Sequence, residues 1–200
     1  MNAHPKDNLL HHLAPAVLFT IVTVIMFGLI YPIAMTLAAQ AIFPAQARGA
    51  YVYKNGTPIG SDIVGQLWTK PQYFHGRPSA AGNGYDPTST GGTNLAPTSK
   101  KLIDSTKSTL AALRKENPDA TMTVPMDLVT SSASGIDPDI SPQAAYYQAP
   151  RIAKARGMSV RGVDAIIGQN VEPRELGFLG EPRVNVLALN LALDSATPQR

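Results

Sequence analysis

The sequence predicts an α+β protein in which one N-terminal transmembrane helix precedes a small mixed α+β domain outside the membrane. The first reason is charge: of the 17 basic and 14 acidic residues in this 200-residue chain, only Lys6 and Asp7 lie before Arg48. The second is periodicity, because beyond Arg48 short apolar runs bounded by glycine and proline alternate with segments of helical spacing. The expected divisions are an N-terminal tail over 1–12, a transmembrane helix over 13–43 and an extramembrane domain over 48–200.

The membrane segment is predicted from residues 16–35, which are almost wholly apolar and would form a helix of about 30 Å, the thickness of one hydrocarbon core. Apolar residues occur all round this helix, which excludes an amphipathic helix lying on the membrane surface. Residues 45–47 have the small-x-small form of a signal-peptide cleavage site. The apolar run over 13–39 is about twice as long as the apolar core of a signal peptide, which favours an uncleaved anchor.

Orientation in the membrane is not fixed by the flanking charges, because too few of them lie on either side. Pro32 is expected to kink or weaken the last turns of the helix. The small residues Gly28, Ala34 and Ala38 would let a neighbouring helix approach closely. Small residues also occur in isolated anchors, so helix docking and simple anchoring both stay open.

The first part of the domain, residues 49–98, is rich in glycine, proline, serine and threonine, which predicts short strands and ordered loops. Its aromatic residues require a packed surface, which argues against disorder. They are Trp68, Tyr73, Phe74 and Tyr85.

Two elements are predicted in the middle of the domain. Apolar residues recur at helical spacing over 102–113, with Thr98 as the expected N-cap and Asn117-Pro118 as the end. The apolar run over 124–130 is a candidate strand.

The last part of the domain is predicted to contain two helices and one ambiguous segment. Ser141 followed by proline is typical of a helix start, and this helix is expected to be interrupted by Pro150 and terminated by Gly157. Ser159 is the expected N-cap of the next helix. Residues 184–193 fit either a buried strand or a short helix, since periodicity does not separate the two.

Several classes of function are excluded by composition. Basic and acidic residues are interleaved after residue 47, which argues against nucleic acid binding. The absence of cysteine removes disulfides and thiolate metal ligands, and His75 is the only histidine outside the N-terminal tail, so no metal site is expected. The chain also lacks a lysine-terminated phosphate-binding loop and a G-x-S-x-G nucleophile motif, so no catalytic residue is assigned.

Three loops join a glycine to hydrogen-bonding residues: 76–79, 91–94 and 180–183. One interpretation is structural, with Arg77 and Arg183 paired inside the domain to acids such as Asp127, Asp137 or Glu181. The other is a docking surface for a second protein, since arginine is enriched at interfaces. The residues assigned to partner contact or loop structure are Arg77, Asn94, Asp127, Asp137 and Arg183.

The same loops resemble the C subunit of the bacterial potassium-transporting P-type ATPase of the Kdp system. The resemblance covers the N-terminal span and residues 60–194, and its motifs lie at 60–61, 65–66, 71–80, 91–95, 124–130, 134–142, 155–157 and 179–194. Family members often carry serine where this chain has Thr93, which keeps a hydroxyl. They often read His-Thr-Glu where this chain has Asn170-Val171-Glu172, so a role that needs that histidine is not available here.

The resemblance implies a non-catalytic accessory subunit of a high-affinity, ATP-driven potassium uptake complex, needed for assembly and stability of that complex. It implies a single-pass protein of the bacterial inner membrane, in contact with membrane lipid, with a cytoplasmic N-terminus and a periplasmic domain. The implied partners are a channel-like potassium-binding subunit, an ATP-hydrolysing subunit and a small single-span subunit. No tightly bound cofactor is expected, and ATP would be reached through the hydrolysing subunit.

Two roles are attached to this family. In one, the subunit is a catalytic chaperone that raises ATP affinity, with nucleotide touching Gly91, Gly92, Thr93 and Asn94. In the other, which we favour, the domain caps the potassium-binding subunit from outside, where it cannot touch cytoplasmic ATP and acts on hydrolysis only by coupling through the complex. A different class of function also stays open, a membrane-anchored extracytoplasmic binding domain or enzyme acting alone.

Overall fold

The structure, a computed structural model, describes the backbone of residues 9–196 and the side chains of residues 12–196. The expected tail over 1–12 lies partly outside the described residues. A helix begins at Leu9, within the part of this tail that is described. The chain forms two compact units, Met1–Ala50 and Tyr51–Arg200. The first holds one long apolar helix and the second mixes helices with small sheets, which confirms the predicted α+β class.

The N-terminal unit consists of helical segments in series: α1 (Leu9–Ile25), a π-helical turn (Met26–Ile30), α2 (Tyr31–Ile42) and the short α3 (Pro44–Ala47). Its stretch His12–Ile42 is long and apolar enough to cross a membrane, and none of its most apolar window is buried within the chain. The hydroxyls of Thr20 and Thr23 donate to the carbonyls of Ala16 and Phe19 one turn earlier. These polar groups are therefore satisfied inside the helix, as a hydrocarbon environment requires.

The π-helical turn explains how the helix accommodates Pro32. Proline has no N–H to donate to the carbonyl four residues before it, here that of Gly28. The helix widens just ahead of this position, where the N–H of Tyr31 donates to the carbonyl of Met26. Ala34 and Ala38 lie one turn apart on the same face of α2.

The domain opens with a β-hairpin of β1 (Tyr51–Lys54) and β2 (Thr57–Ser61). Asn55 and Gly56 connect the strands with φ values of +52° and +78°, the signature of a tight hairpin turn. In the following residues 62–99 the structure has no helix and no strand longer than an isolated bridge at Val64. The predicted short strands are thus limited to the hairpin, and the rest of this segment is ordered loop.

Two predictions for the middle of the domain are corrected. Helix α4 (Lys100–Glu116) has Ser99 rather than Thr98 as its N-cap residue. The expected strand over 124–130 is wrong, since Met126–Leu128 form a 3₁₀ turn closed by the N–H of Val129 on the carbonyl of Met126. The cause is the carboxylate of Asp127, which accepts from the backbone N–H of Ser141 at 2.7 Å and turns this segment away from extended pairing.

Helix α5 (Pro142–Arg156) begins and ends as predicted. The Ser141 hydroxyl accepts from the N–H of Ala144, and Gly157 closes the helix in the left-handed conformation with φ +65°. The expected interruption at Pro150 is wrong because the helix continues through it. Ala149 and Ile152 beside it are buried to 1% and 0% exposure, and this packing outweighs the hydrogen bond that proline removes.

The remaining elements close the domain. Helix α6 (Val160–Gln169) is capped by Ser159 as predicted, through its hydroxyl to the N–H of Gly162. A three-stranded antiparallel sheet has the order β3 (Asp139–Ile140), β5 (Arg183–Asn185), β4 (Val171–Glu172). Helix α7 (Val186–Ala196) follows β5 directly.

The ambiguous segment 184–193 is therefore both strand and helix. The change falls at Asn185, whose side-chain oxygen accepts from the N–H of Ala188 at 3.0 Å. This contact caps α7 and ends β5 at the same residue.

The hydrophobic core lies among α5, α6, α7 and strand β5. Burial of each large side chain contributes about 1.5–3 kcal/mol, and the core therefore holds the helices and the sheet as one body. The largest fully buried apolar side chains are those of Phe74, Ile152, Val163, Ile167, Val184, Leu189 and Leu193.

The loop between β4 and β5 makes a second tight turn. Leu176 and Gly177 have φ values of +52° and +82°, and the N–H of Phe178 donates to the carbonyl of Glu175. These features are those of a type I′ turn, in which asparagine and glycine are favoured. A leucine in the left-handed conformation costs roughly 1–2 kcal/mol.

Candidate functional site

Arg77 and Asp137 form an ion pair at the centre of the candidate site. The guanidinium Nη1 donates to Asp137 Oδ2 at 2.9 Å, and Nη2 donates to the carbonyl of Ser131 at 3.4 Å. Both side chains are about one-quarter exposed. The pair ties the loop 76–79 to the loop 131–137, which stand about 60 residues apart in sequence.

Ser79 and Tyr85 continue this connection. The Ser79 hydroxyl donates to the carbonyl of Gly135 at 2.6 Å and accepts from the N–H of Tyr85 at 2.8 Å. The Tyr85 hydroxyl in turn donates to the carbonyl of Arg77 at 2.6 Å. Burial, and then the charge of Asp137, raise the pKa of Tyr85 to about 12, so this hydroxyl stays a donor.

Glycines make room for the Tyr85 ring. A Cβ on Gly65 would lie 2.4 Å from that ring and 2.6 Å from the carbonyl oxygen of Asp137, and a Cβ on Gly76 would lie 2.4 Å from the tyrosine hydroxyl. A larger residue at position 65 would meet the Tyr85 ring and a backbone carbonyl, and one at position 76 would meet the tyrosine hydroxyl, so neither position accepts it without movement. The sequence motifs at 65–66 and 76–79 therefore encode a close approach of loops around one aromatic ring.

The loop 91–94 packs against the same region. The N–H of Gly91 donates to the carbonyl of Ser134 at 2.8 Å, and a Cβ on Gly92 would lie 3.1 Å from the carbonyl oxygen of Ala133. Thr93 and Asn94 are exposed beyond this contact, and Asn94 has φ +50°. The loop thus presents two polar side chains from a backbone fixed by its glycines.

An open pocket of about 520 Å³ adjoins Arg77 and is also lined by Trp68, His75, Tyr85 and Glu116. Two donors in its wall, Trp68 Nε1 and Arg77 Nε, are buried without a hydrogen-bond partner. No group of three or more His, Cys, Asp or Glu that could bind a metal occurs among the residues whose side chains are described. The pocket wall therefore combines aromatic surface with polar and charged side chains.

The surroundings of His75 disfavour its protonated form. Its Nε2 lies 3.1 Å from the carbonyl of Lys70, and its Nδ1 lies 3.6 Å from a carboxylate oxygen of Glu116. Burial, followed by the nearby charge of Arg151, lowers the pKa of His75 below 6.5.

We expect the protein to lose stability as the pH falls from 7.5 to 5, and the His75→Gln variant to lose less. Since the folded-state pKa lies below the unfolded one, the contribution of His75 is present above pH 6.5 and is lost as the pH falls through the folded-state pKa. The measurement is the difference in Tm between the two pH values for both proteins. Burial raises the pKa of Asp139, which therefore also changes stability with pH. Its contribution is the same in both proteins and cancels when their Tm differences are compared. Equal losses in the two proteins would contradict this assignment.

Asp127 lies apart from Arg77 and supports a helix start. Its carboxylate accepts from the N–H of Ser141 at 2.7 Å and lies 3.2 Å from the Ser141 hydroxyl. That hydroxyl accepts from the N–H of Ala144, so Asp127 orients the group that caps α5.

Arg183 occupies a third position, at the base of the β4–β5 loop. Its guanidinium lies 2.8 Å from Glu172, 3.3 Å from Glu175 and 3.3 Å from Asp139. These contacts, first among them the hydrogen bond with Glu175, raise the pKa of Arg183. The structure thus brings Arg77 and Asp137 together and packs the loop that carries Asn94 against the same region. It places Asp127 and Arg183 elsewhere.

Two buried amide side chains that the sequence analysis did not single out hold this region to the core. Asn190 pairs with both backbone groups of Phe74, accepting from its N–H at 2.8 Å and donating to its carbonyl at 3.0 Å. Gln148 makes the same pair with His75, at 2.9 and 3.1 Å. A polar residue inside an apolar helical run is the one local signal that points to Asn190.

Arg151 completes this buried network. It donates to Asn117 at 3.0 Å, to Gln148 at 2.8 Å and to the carbonyl of Pro71. Burial lowers the pKa of Arg151 to about 10. The loop segment 71–75 is therefore fixed to helix α5 by side chains in place of a sheet partner.

The molecule is of the class that joins one long apolar helix to a small α+β domain in which loops are cross-linked by ion pairs and buried amides. The chain matches the family model described as KdpC, the c chain of the K⁺-transporting ATPase, over residues 13–195. It therefore belongs to the KdpC family.

Curated relatives match over nearly their whole length. A potassium-transporting ATPase KdpC subunit from Acidobacterium capsulatum is 55% identical over 92% of this chain and 98% of the relative. The KdpC subunit from Koribacter versatilis is 48% identical over 94% of this chain and 96% of the relative. That from Caulobacter vibrioides is 50% identical over 95% of this chain and 96% of the relative. The resemblance to this family predicted from the loop motifs is confirmed.

Proposed function

We propose that this chain is a non-catalytic accessory subunit of a potassium-transporting P-type ATPase, needed for assembly and stability of the complex. The observation that carries the proposal is the family match, which includes the apolar helix and almost all of the domain. The proposed partners are a channel-like potassium-binding subunit, an ATP-hydrolysing subunit and a small single-span subunit.

The proposed location is the bacterial inner membrane, with the N-terminus in the cytoplasm and the domain in the periplasm. The helix His12–Ile42 supports membrane insertion because it exposes its apolar side chains all round. A periplasmic domain would cap the potassium-binding subunit and would influence ATP hydrolysis only through coupling between subunits.

Direct nucleotide contact by Gly91, Gly92, Thr93 and Asn94 is the alternative proposal. A phosphate-binding loop needs free backbone N–H groups and a positive charge. The N–H of Gly91 already donates to Ser134, and Arg77 is paired with Asp137. These contacts favour the periplasmic cap, with ATP bound by the partner subunit.

Single cysteines at Thr57 and Ser195 are expected to react with a membrane-impermeant thiol reagent in intact cells. Both positions are exposed, and the chain has no cysteine of its own, so the unsubstituted protein is the matched control. Labelling before and after cell lysis is compared by gel shift. Protection at both positions until the cells are opened would place the domain in the cytoplasm and favour the nucleotide-binding alternative.

A further inference from the structure

The β4–β5 loop exposes three large apolar side chains that form an apolar tip: Leu176, Phe178 and Leu179. Their exposed fractions are 82%, 69% and 49%. Single exposed apolar residues are ordinary on protein surfaces, whereas a contiguous group is typical of a binding site. The apolar tip therefore has an energetic cost in water that the isolated domain does not recover.

The loop that carries the apolar tip is ordered. The N–H groups of Phe178 and Leu179 both donate to the carbonyl of Glu175, at 3.2 and 2.9 Å. Arg174 and Glu181 form an ion pair at 2.5 Å across the loop. Arg183 adds its contacts with Glu172 and Glu175 at the base. A loop fixed in this way loses little conformational entropy when a partner binds.

Leu176 is unfavourable in this position for two independent reasons. Its φ of +52° lies in the left-handed region that asparagine and glycine tolerate better. Its side chain is the most exposed of the large apolar residues described. Backbone strain of this kind is found at functional sites, and here the leucine gains no packing within the domain.

The charges around the apolar tip favour one of three occupants. The segment 172–183 carries three glutamates and two arginines, net −1, whereas residues 48–200 as a whole carry 16 basic and 13 acidic residues, net +3. Contact with a second copy would bring two loops of net negative charge together, and an anionic membrane surface would also repel this loop. A protein pocket with a basic rim would complement the charge of the loop.

We infer that the apolar tip inserts into an apolar, basic-rimmed pocket on another subunit of the ATPase, an inference that rests on the proposed function. The three side chains act as the buried anchors of that contact, and the charged residues at the base of the loop form its polar rim. The loop is thus a preformed binding element whose conformation the domain fixes before the partner binds.

Leu176→Asn separates this role from a structural one. In the full-length protein purified in detergent, the variant is expected to raise Tm by about 2–4 °C, because asparagine relieves the backbone strain. In membranes that contain the other subunits, it is expected to reduce their recovery with the tagged chain several-fold. Phe178→Ser is expected to reduce recovery to a similar degree. A chain that is more stable yet binds less well cannot owe its defect to misfolding.

Met126→Asn is the matched control, because Met126 is 71% exposed and lies outside the loop. Its recovery of the other subunits is expected to equal that of the unsubstituted chain. If the unsubstituted chain recovers none of them, the proposed function fails and the inference fails with it. If it recovers them and both loop variants do so equally well, the inference alone is overturned.

A photoreactive benzophenone amino acid in place of Phe178 identifies the occupant directly. The expected product is an adduct with another subunit of the ATPase. An adduct with a second copy of this chain, or with lipid, would overturn the inference.

Discussion

Replacing Asn190 with leucine is expected to lower the free energy of unfolding by about 3 kcal/mol. Asn190 is fully buried and satisfies both the N–H and the carbonyl of Phe74, which is itself fully buried. Leucine has a similar size, so the variant creates no large cavity but leaves two buried backbone groups without partners. Each such group costs about 1–3 kcal/mol. Urea unfolding of the full-length protein in detergent, followed by fluorescence of Trp68, the single tryptophan, measures the effect.

Asn170→Leu is the matched control for this prediction. The side chain of Asn170 is part-buried and donates to one carbonyl of its own helix, that of Ile166 at 2.8 Å. Its loss is expected to cost about 1 kcal/mol or less, because the freed carbonyl is at a helix end where water can reach it. Similar losses in the two variants would mean that the segment around Phe74 reaches water when Asn190 is absent.

Both ends of α5 and the start of α6 could be predicted because their signals are local. Ser141 caps α5 through a contact three residues away, and Gly157 ends it by its own backbone conformation. Ser159 acts in the same way on α6. Such contacts depend only on neighbouring residues, so spacing alone is sufficient to predict them.

The segments that were predicted wrongly depend on distant contacts. The run 124–130 has the apolar pattern of a strand, but Asp127 turns it by binding a backbone N–H that is 14 residues away. Pro150 has the local signature of a helix break, but packing of its neighbours in the core keeps α5 continuous. In both cases tertiary interactions outweigh local propensity.

The candidate site was predictable as a set of residues but not as an arrangement. The sequence motifs indicated Arg77, Asp137 and Arg183, and their charges suggested internal ion pairs. The structure shows that Arg77 pairs with Asp137. Arg183 instead contacts Glu172 and Asp139 at the base of the β4–β5 loop, and the sequence did not indicate this difference. The Asn190–Phe74 contact spans 116 residues, a distance over which spacing carries no information.

The buried amides also connect the core to the loops that carry the site. Segment 71–75 is fixed by Asn190, Gln148 and Arg151, and Arg77 follows two residues later. The position of the Arg77–Asp137 pair is therefore set by helices α5 and α7 rather than by a sheet. A core substitution in these helices is expected to displace the loops before it unfolds the domain.

Gly135→Ala is expected to lower the free energy of unfolding by roughly 3 kcal/mol or more. Gly135 has φ +73°, and a Cβ there would lie 2.7 Å from the carbonyl oxygen of Gly91 and 2.8 Å from backbone and side-chain atoms of Ala81. The residue cannot move away easily, because its carbonyl accepts from Ser79 and its N–H donates to the hydroxyl of Ser132. The same unfolding experiment measures the loss, which is expected to come with release of the loop 91–94.

Gly157→Ala isolates the steric part of this effect. Gly157 has a similar φ of +65°, but no atom lies within 4 Å of the position that a Cβ would occupy. Its substitution is therefore expected to cost only the conformational strain, about 1 kcal/mol. The difference between the two variants then measures how tightly the loop 91–94 and the turn at Ala81 are packed on Gly135. If the two variants lose the same free energy of unfolding, the loops around Gly135 move enough to accept a methyl group and are not rigidly packed.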